Sequence, residues 1–188
     1  MKFSLSVAVG NYDRTRALVD GRVRIDGVNP AFMTLSPEEM FFRAFRHADF
    51  DITELSLASY AVSLANDANE YTALPIFLSR AFRHSSIYVT HESGIQKPEQ
   101  MRGKRIGIAE YQLTANVWAR ALLEDDYGVS PSEIVWVRGG MDAPVRPEKL
   151  RLNLPSDVRV EAVQPGETLN LLLTPVSYTH LRAHETTC

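Results

Sequence analysis

The stretch Lys104-Arg105-Ile106-Gly107-Ile108-Ala109, continued by residues 113–127, Gly128 and Ser130-Pro131-Ser132-Glu133-Ile134-Val135-Trp136-Val137, decides the fold class. Its first run is short, apolar and bounded by polar residues, as a buried strand is. Residues 113–127 repeat apolar positions at helical spacing, which predicts Leu113, Val117, Ala121 and Leu122 along one buried face. Gly128 ends that helix, because glycine takes the left-handed conformation at a helix terminus without strain. Ser130-Pro131-Ser132-Glu133 is a capping signature, and residues 134–137 return to strand character. Alternation of strand and helix is the pattern of an α/β protein with a largely parallel sheet.

The alternation extends in both directions. Residues 3–9 read as a strand and residues 12–20 as a short helix stopped by Gly21. Ser36-Pro37-Glu38-Glu39 supplies a cap, a proline at the first helical position and a glutamate at the third. The helix it opens is predicted to reach His47 and to bury Met40, Phe41, Ala44 and Phe45. Residues 51–55 read as a strand, 57–65 as a helix, and 73–78 and 86–90 as extended segments flanking an Arg-rich turn. Residues 158–163 form a further strand, and Glu167 opens a last helix. The Pro-rich, charged residues 141–155 are expected to form an exposed loop, whereas Trp118 and Trp136 are expected in the core. Turn chemistry at Glu92-Ser93-Gly94 and Lys97-Pro98-Glu99 puts a first lobe at residues 1–92, a crossover at 93–102 and a second lobe at 103–175.

Composition narrows the function. The 188 residues are 45% hydrophobic and 23% charged, ordinary for a globular protein, with a formal net charge of -3. No run of Lys or Arg long enough to follow a phosphate backbone occurs, so nucleic acid is not an expected partner. No segment reaches the about 20 apolar residues that cross a bilayer. The amino-terminal residues lack the apolar block of a secretory signal, and a soluble, cytoplasmic protein is expected. Cys188 is the single cysteine, so neither a disulfide framework nor a cysteine-based zinc site is available. A phosphate loop, a dinucleotide fingerprint, a nucleophile elbow and His–carboxylate metal spacing are all absent.

The run Val176-Ser177-Tyr178-Thr179-His180-Leu181-Arg182-Ala183-His184-Glu185-Thr186 has neither apolar period nor capping logic. It resembles one reading-frame translation of the transposon-end adapter used in shotgun sequencing libraries. Residues 176–188 are therefore read as a scar of DNA preparation, expected to pack against nothing. A parallel sheet broken off at this point lacks at least one strand and leaves an unpaired edge. The chain is expected to be unstable and inactive by itself.

In open α/β sheets ligands bind beyond the carboxyl ends of the strands. Five polar groups fall there: Gly10-Asn11-Tyr12-Asp13-Arg14, Glu54 to Tyr60, Arg80-Ala81-Phe82-Arg83-His84-Ser85, Glu110-Tyr111-Gln112-Leu113-Thr114, and Arg138-Gly139-Gly140. Guanidinium groups and helix N-termini suit an anionic small molecule. Each group also has a plainer reading. Arg14 can lie on a solvated helix face, Glu54 can cap a helix or pair with an Arg, and Ser56, Ser59 and Thr114 can be caps. Arg80, Arg83 and His84 repel one another unless something anionic compensates them.

Three runs resemble the 4,5-dihydroxyphthalate decarboxylase family: residues 10–18, residues 74–85 and residues 103–114, within a likeness that spans residues 1 to about 174. That resemblance implies a type II periplasmic-binding-protein-like fold, with two lobes and a mostly parallel sheet in each, the second lobe incomplete here. It implies a carboxy-lyase that converts 4,5-dihydroxyphthalate, or a related hydroxylated aromatic carboxylate, to protocatechuate and carbon dioxide. On that basis Arg14 and Arg83 are candidates to clamp the retained carboxylate, His84 for the base, and Glu54 or Tyr111 for the acid. Asn11, Ser56, Ser59, Arg80, Gln112, Thr114 and Arg138 are further candidates for substrate binding. No organic cofactor is called for, since the hydroxyl para to the leaving carboxylate serves as electron sink. A divalent metal is left open, because carboxylates and histidine from separate segments can meet in space, and so is a homo-oligomer. The alternative on the same fold is a solute-binding protein of an ABC importer for a small anionic or aromatic ligand.

Overall fold

The protein is seen in a computed structural model, which describes residues 2–173 and 179–181. Two compact units separate, one ending at Ala81 and one beginning at Phe82. Arg80 belongs to the first unit, and Arg83 and His84 belong to the second.

The first unit runs β1 (Phe3–Val9), α1 (Asp13–Val19), β2 (Val28–Thr34), α2 (Pro37–His47), β3 (Ile52–Thr53) and α3 (Leu57–Ala65). Its sheet has the order β2-β1-β3, with both pairings parallel. Strand β2 carries no strand signal in the sequence, because Pro30 lies in its middle. It is an edge strand, where a residue without an N–H is tolerated. The cap that opens α2 forms as expected: Ser36 Oγ accepts from the Glu39 N–H at 3.3 Å, and Pro37 is the first helical residue. Ala48 closes the helix in the left-handed conformation. Met40, Phe41 and Ala44 bury against Ala8 and Phe50, with Phe45 half-buried beside them.

The second unit runs β4 (Ile87–Tyr88), β5 (Arg105–Ile108), α4 (Thr114–Tyr127), β6 (Val135–Arg138), β7 (Arg159–Ala162), α5 (Leu169–Leu173) and β8 (Thr179–Leu181). The strand order is β4-β8-β5-β6-β7, parallel except where β4 meets β8. Gly128 ends α4 at φ 62°, and Ser130 with Glu133 completes a capping box on a short 3-10 helix before β6. The core gathers Ile106, Ile108, Tyr111, Ala119, Leu123, Ile134 and Trp136.

Four expectations are corrected. Helix α4 buries Ala115, Asn116, Ala119, Arg120 and Leu123, not the face through Leu113, Val117, Ala121 and Leu122. Trp118 is on the opposite side, 56% exposed. The reason is polar satisfaction: Asn116 and Arg120 find carbonyl partners at the end of β5, so the buried stripe can include them. Within the expected loop 141–155, Lys149 is buried. Finally, the backbone of Thr179–Leu181 pairs with both β4 and β5, where a segment without partners was expected. Ladder hydrogen bonds belong to the backbone, so two open strand edges accept an extended segment whatever its side chains. The α/β class, with a mostly parallel sheet in each of two lobes, is the class implied by the family resemblance.

Candidate active site

In the first unit the polar groups converge where β1 and β3 end. The Gly10 N–H donates to Glu54 Oε2 at 3.2 Å, and the Tyr12 hydroxyl donates to Glu54 Oε1 at 2.8 Å. The Arg14 guanidinium carbon lies 4.7 Å from the centre of the Tyr12 ring, and its Nε donates to the Leu78 carbonyl. A side chain at position 10 would displace the Tyr12 ring, because an added Cβ would come within 2.7 Å of it. Burial pushes the Glu54 carboxyl above its ordinary range, while the Tyr12 hydroxyl, the Gly10 N–H and the Arg14 charge pull it down. The result is a half-buried carboxyl with a reason to hold its proton and two donors ready for its anion.

Ser56 and Ser59 serve the start of α3. Ser56 is the N-cap and accepts from the Ser59 N–H, and the Ser59 hydroxyl donates to Ser56 Oγ at 3.2 Å. Both are buried, and Ser56 is a cap while Ser59 lies within the first turn. Asn11 is exposed on the turn before α1.

In the second unit a polar cluster sits beyond β5 and β6. Lys149 Nζ lies 2.7 Å from Glu110 Oε2, with the lysine side chain only 2% exposed. Gln112 Nε2 donates to the same oxygen at 3.2 Å, and Asn116 Nδ2 donates to the Glu110 carbonyl at 2.6 Å. Arg138 pairs with Glu148 at 3.2 Å and donates to the Arg146 carbonyl at 2.8 Å. Thr114 is the first residue of α4 and is half-buried.

Tyr111 goes to the core rather than to a surface. The Arg120 guanidinium lies 3.6 Å from its ring centre and donates to its carbonyl at 2.8 Å, and Trp136 packs edge-on at 6.0 Å. Burial pushes the Tyr111 phenol up, with Arg120 opposing, and burial lowers the Arg120 guanidinium.

Within the Arg-rich segment, Arg80 Nε donates to the Phe77 carbonyl at 3.2 Å, and Arg83 is half-buried. His84 Nε2 stands 3.8 Å from Asp126 Oδ2 with both side chains more than half exposed, so the anionic compensation that the cluster demands comes in part from α4. Among the described residues no three His, Cys, Asp or Glu side chains gather as a metal site would need, and no helix is long and apolar enough to cross a membrane.

Sequence reasoning passed over Tyr12, Glu110, Asn116, Arg120 and Lys149 as individual participants. Tyr12 and Glu110 stood inside polar runs already singled out. Lys149 carried no signal, since its burial depends on a partner 39 positions earlier in the chain, Glu110.

No protein-family model matches the chain. Two curated relatives do. The chain is 58% identical over 172 residues to 4,5-dihydroxyphthalate decarboxylase of Comamonas testosteroni, a stretch that is 92% of this chain and 52% of that protein. It is 57% identical over 172 residues to 4,5-dihydroxyphthalate decarboxylase of Pseudomonas putida, covering 92% of this chain and 67% of that one. The chain thus spans about half the length of the first relative and two thirds of the second. With that identity along nearly its whole length, and with an α/β structure of two lobes, the chain belongs to the 4,5-dihydroxyphthalate decarboxylase family.

Proposed function

We propose that the full-length protein containing this chain decarboxylates 4,5-dihydroxyphthalate, or a related hydroxylated aromatic carboxylate, to protocatechuate and carbon dioxide. The names of the two relatives support this reading. The structural observation that carries it is the Glu54 carboxyl, held by Tyr12 and Gly10 at the strand ends with Arg14 beside them. Each carboxylate of that substrate is para to a hydroxyl. A base takes the hydroxyl proton, the electrons move through the ring, and the carbon bearing the leaving carboxylate takes a proton from an acid. The bond from that carbon to the carboxylate then breaks, its electron pair restores the aromatic ring, and carbon dioxide departs. Glu54 is the acid in this reading, because burial favours its protonated form at rest. Arg14, in the same unit as Glu54, is given the retained carboxylate, and Arg83 and His84 of the second unit stay separate candidates for carboxylate binding and for the phenolic proton, roles that substitutions test one at a time.

The test is incubation of the full-length protein with 4,5-dihydroxyphthalate, with protocatechuate and carbon dioxide measured. Stoichiometric release of both is expected. Tight binding without turnover would replace the decarboxylase with a solute-binding protein for an anionic aromatic ligand.

A further inference from the structure

We infer that Tyr12 is a positioning residue for Glu54, fixing which carboxyl oxygen carries the transferable proton and stabilising the anion left after transfer. The inference rests on the reading of Glu54 as the acid. Tyr12 Oη donates to Oε1 at 2.8 Å, so Oε1 is the oxygen engaged as an acceptor. The Gly10 N–H reaches Oε2 at the longer 3.2 Å. A protonated carboxyl therefore keeps its carbonyl character at Oε1 and its O–H at Oε2. When the Oε2 proton passes to the ring carbon, Glu54 becomes a carboxylate with one donor on each oxygen and no reorganisation required. The ring that aims the hydroxyl is fixed independently of it. Tyr12 is the N-cap residue of α1, and its carbonyl accepts from the Thr15 and Arg16 N–H groups, each at 3.1 Å. Arg14 covers one part of the ring, and Gly10 leaves the room that any side chain would take.

The groups facing Glu54 are the Gly10 N–H and the Tyr12 hydroxyl from the turn after β1 and the Arg14 cation from α1. All three favour the anion against burial. Removing the Tyr12 hydroxyl therefore moves Glu54 further up, and the alkaline limb of a rate that needs protonated Glu54 moves up in pH with it.

The experiment is the pH profile of kcat in the full-length protein carrying Tyr12→Phe. The alkaline limb is expected to shift upward, with kcat at the optimum reduced about tenfold and KM within about twofold, because the hydroxyl acts on the acid and not on substrate. A limb that stays in place, or a loss confined to KM, would overturn the inference. Gly10→Ala is the second variant, since it drives the ring off Glu54 while keeping the hydroxyl, and it is expected to reproduce the shift. If the wild-type protein turns over no hydroxylated phthalate at all, the acid reading fails by itself. The Glu54 titration, followed by infrared difference spectroscopy of wild type and Tyr12→Phe, then still decides whether the contact controls that carboxyl.

Discussion

At Glu54 burial and hydrogen bonding act in opposite directions, and burial is the larger effect. A carboxyl raised in the folded state binds its proton more tightly there than in the unfolded chain. Its contribution to stability is therefore full below the ordinary value of 4.5 and is lost as pH rises through the raised one. Glu54→Gln removes that dependence, so the urea midpoint of the wild type should fall relative to the variant as pH is raised from about 4 toward neutral. In the full-length protein the same change should lower kcat about a hundredfold or more. Arg83 and His84 make a separable pair. Arg83→Lys keeps the charge but loses the two-pronged geometry, and should weaken dicarboxylate binding by about 1–3 kcal/mol in a titration calorimeter. His84→Asn cannot titrate near neutral pH and should cut kcat about a hundredfold with little change in affinity. Small, equal effects from both would return the cluster to a structural role, with Asp126 as the partner of His84.

Among the elements, α4 and the segment through Lys149 show how polar residues enter a core. Arg120 is admitted because the Tyr111 carbonyl and ring receive it, and Asn116 because the Glu110 carbonyl does. The desolvation cost of the buried Lys149 cation is offset by Glu110, which stands 2.7 Å away. Lys149→Met should destabilise the protein toward the low end of about 3–5 kcal/mol, since Glu110 keeps some solvent contact. Lys149→Met with Glu110→Leu should recover much of the loss, because no unpaired charge then remains buried. Equilibrium urea unfolding of the two variants reads the difference. In the first unit, Asp51 binds β3 back to β1, accepting from both the N–H and the hydroxyl of Ser6 at 2.7 Å. Those two donors hold its carboxyl below the usual range, so this tie is lost as pH falls through the lowered value.

For the molecule as a whole, the sheet of the second unit carries the most consequence. Strand β8 lies between β4 and β5, antiparallel to one and parallel to the other. Removing residues 176–188 takes that strand away and leaves two open edges. Large apolar side chains already stand exposed in the segment that joins the units, with Phe82 91% exposed and Leu74 67%. The shortened chain should therefore self-associate at concentrations where the 188-residue chain does so less, measured by light scattering against concentration.

Local physics determined much of this protein from sequence alone. The cap at Ser36, the helix over residues 57–65, the Gly128 stop, the capping box at Ser130 and the strands β1, β5, β6 and β7 depend on groups a few residues apart. Such contacts are made by any chain with that local order, so they are legible before folding. The polar strand ends singled out Glu54 and Arg14 as candidates, and the fold brings them together through Tyr12, a residue whose importance is a distance and not a pattern. Only the tertiary structure decided which stripe of α4 faces inward, that Pro30 could sit in an edge strand, that Lys149 is buried and that Thr179–Leu181 fills a place in a sheet. Each of those outcomes turns on a partner remote in sequence: a carbonyl at a strand end, a sheet edge, a carboxylate beyond another strand. A side chain's burial is set by what the folded chain puts opposite it, and that is not written in the neighbouring residues.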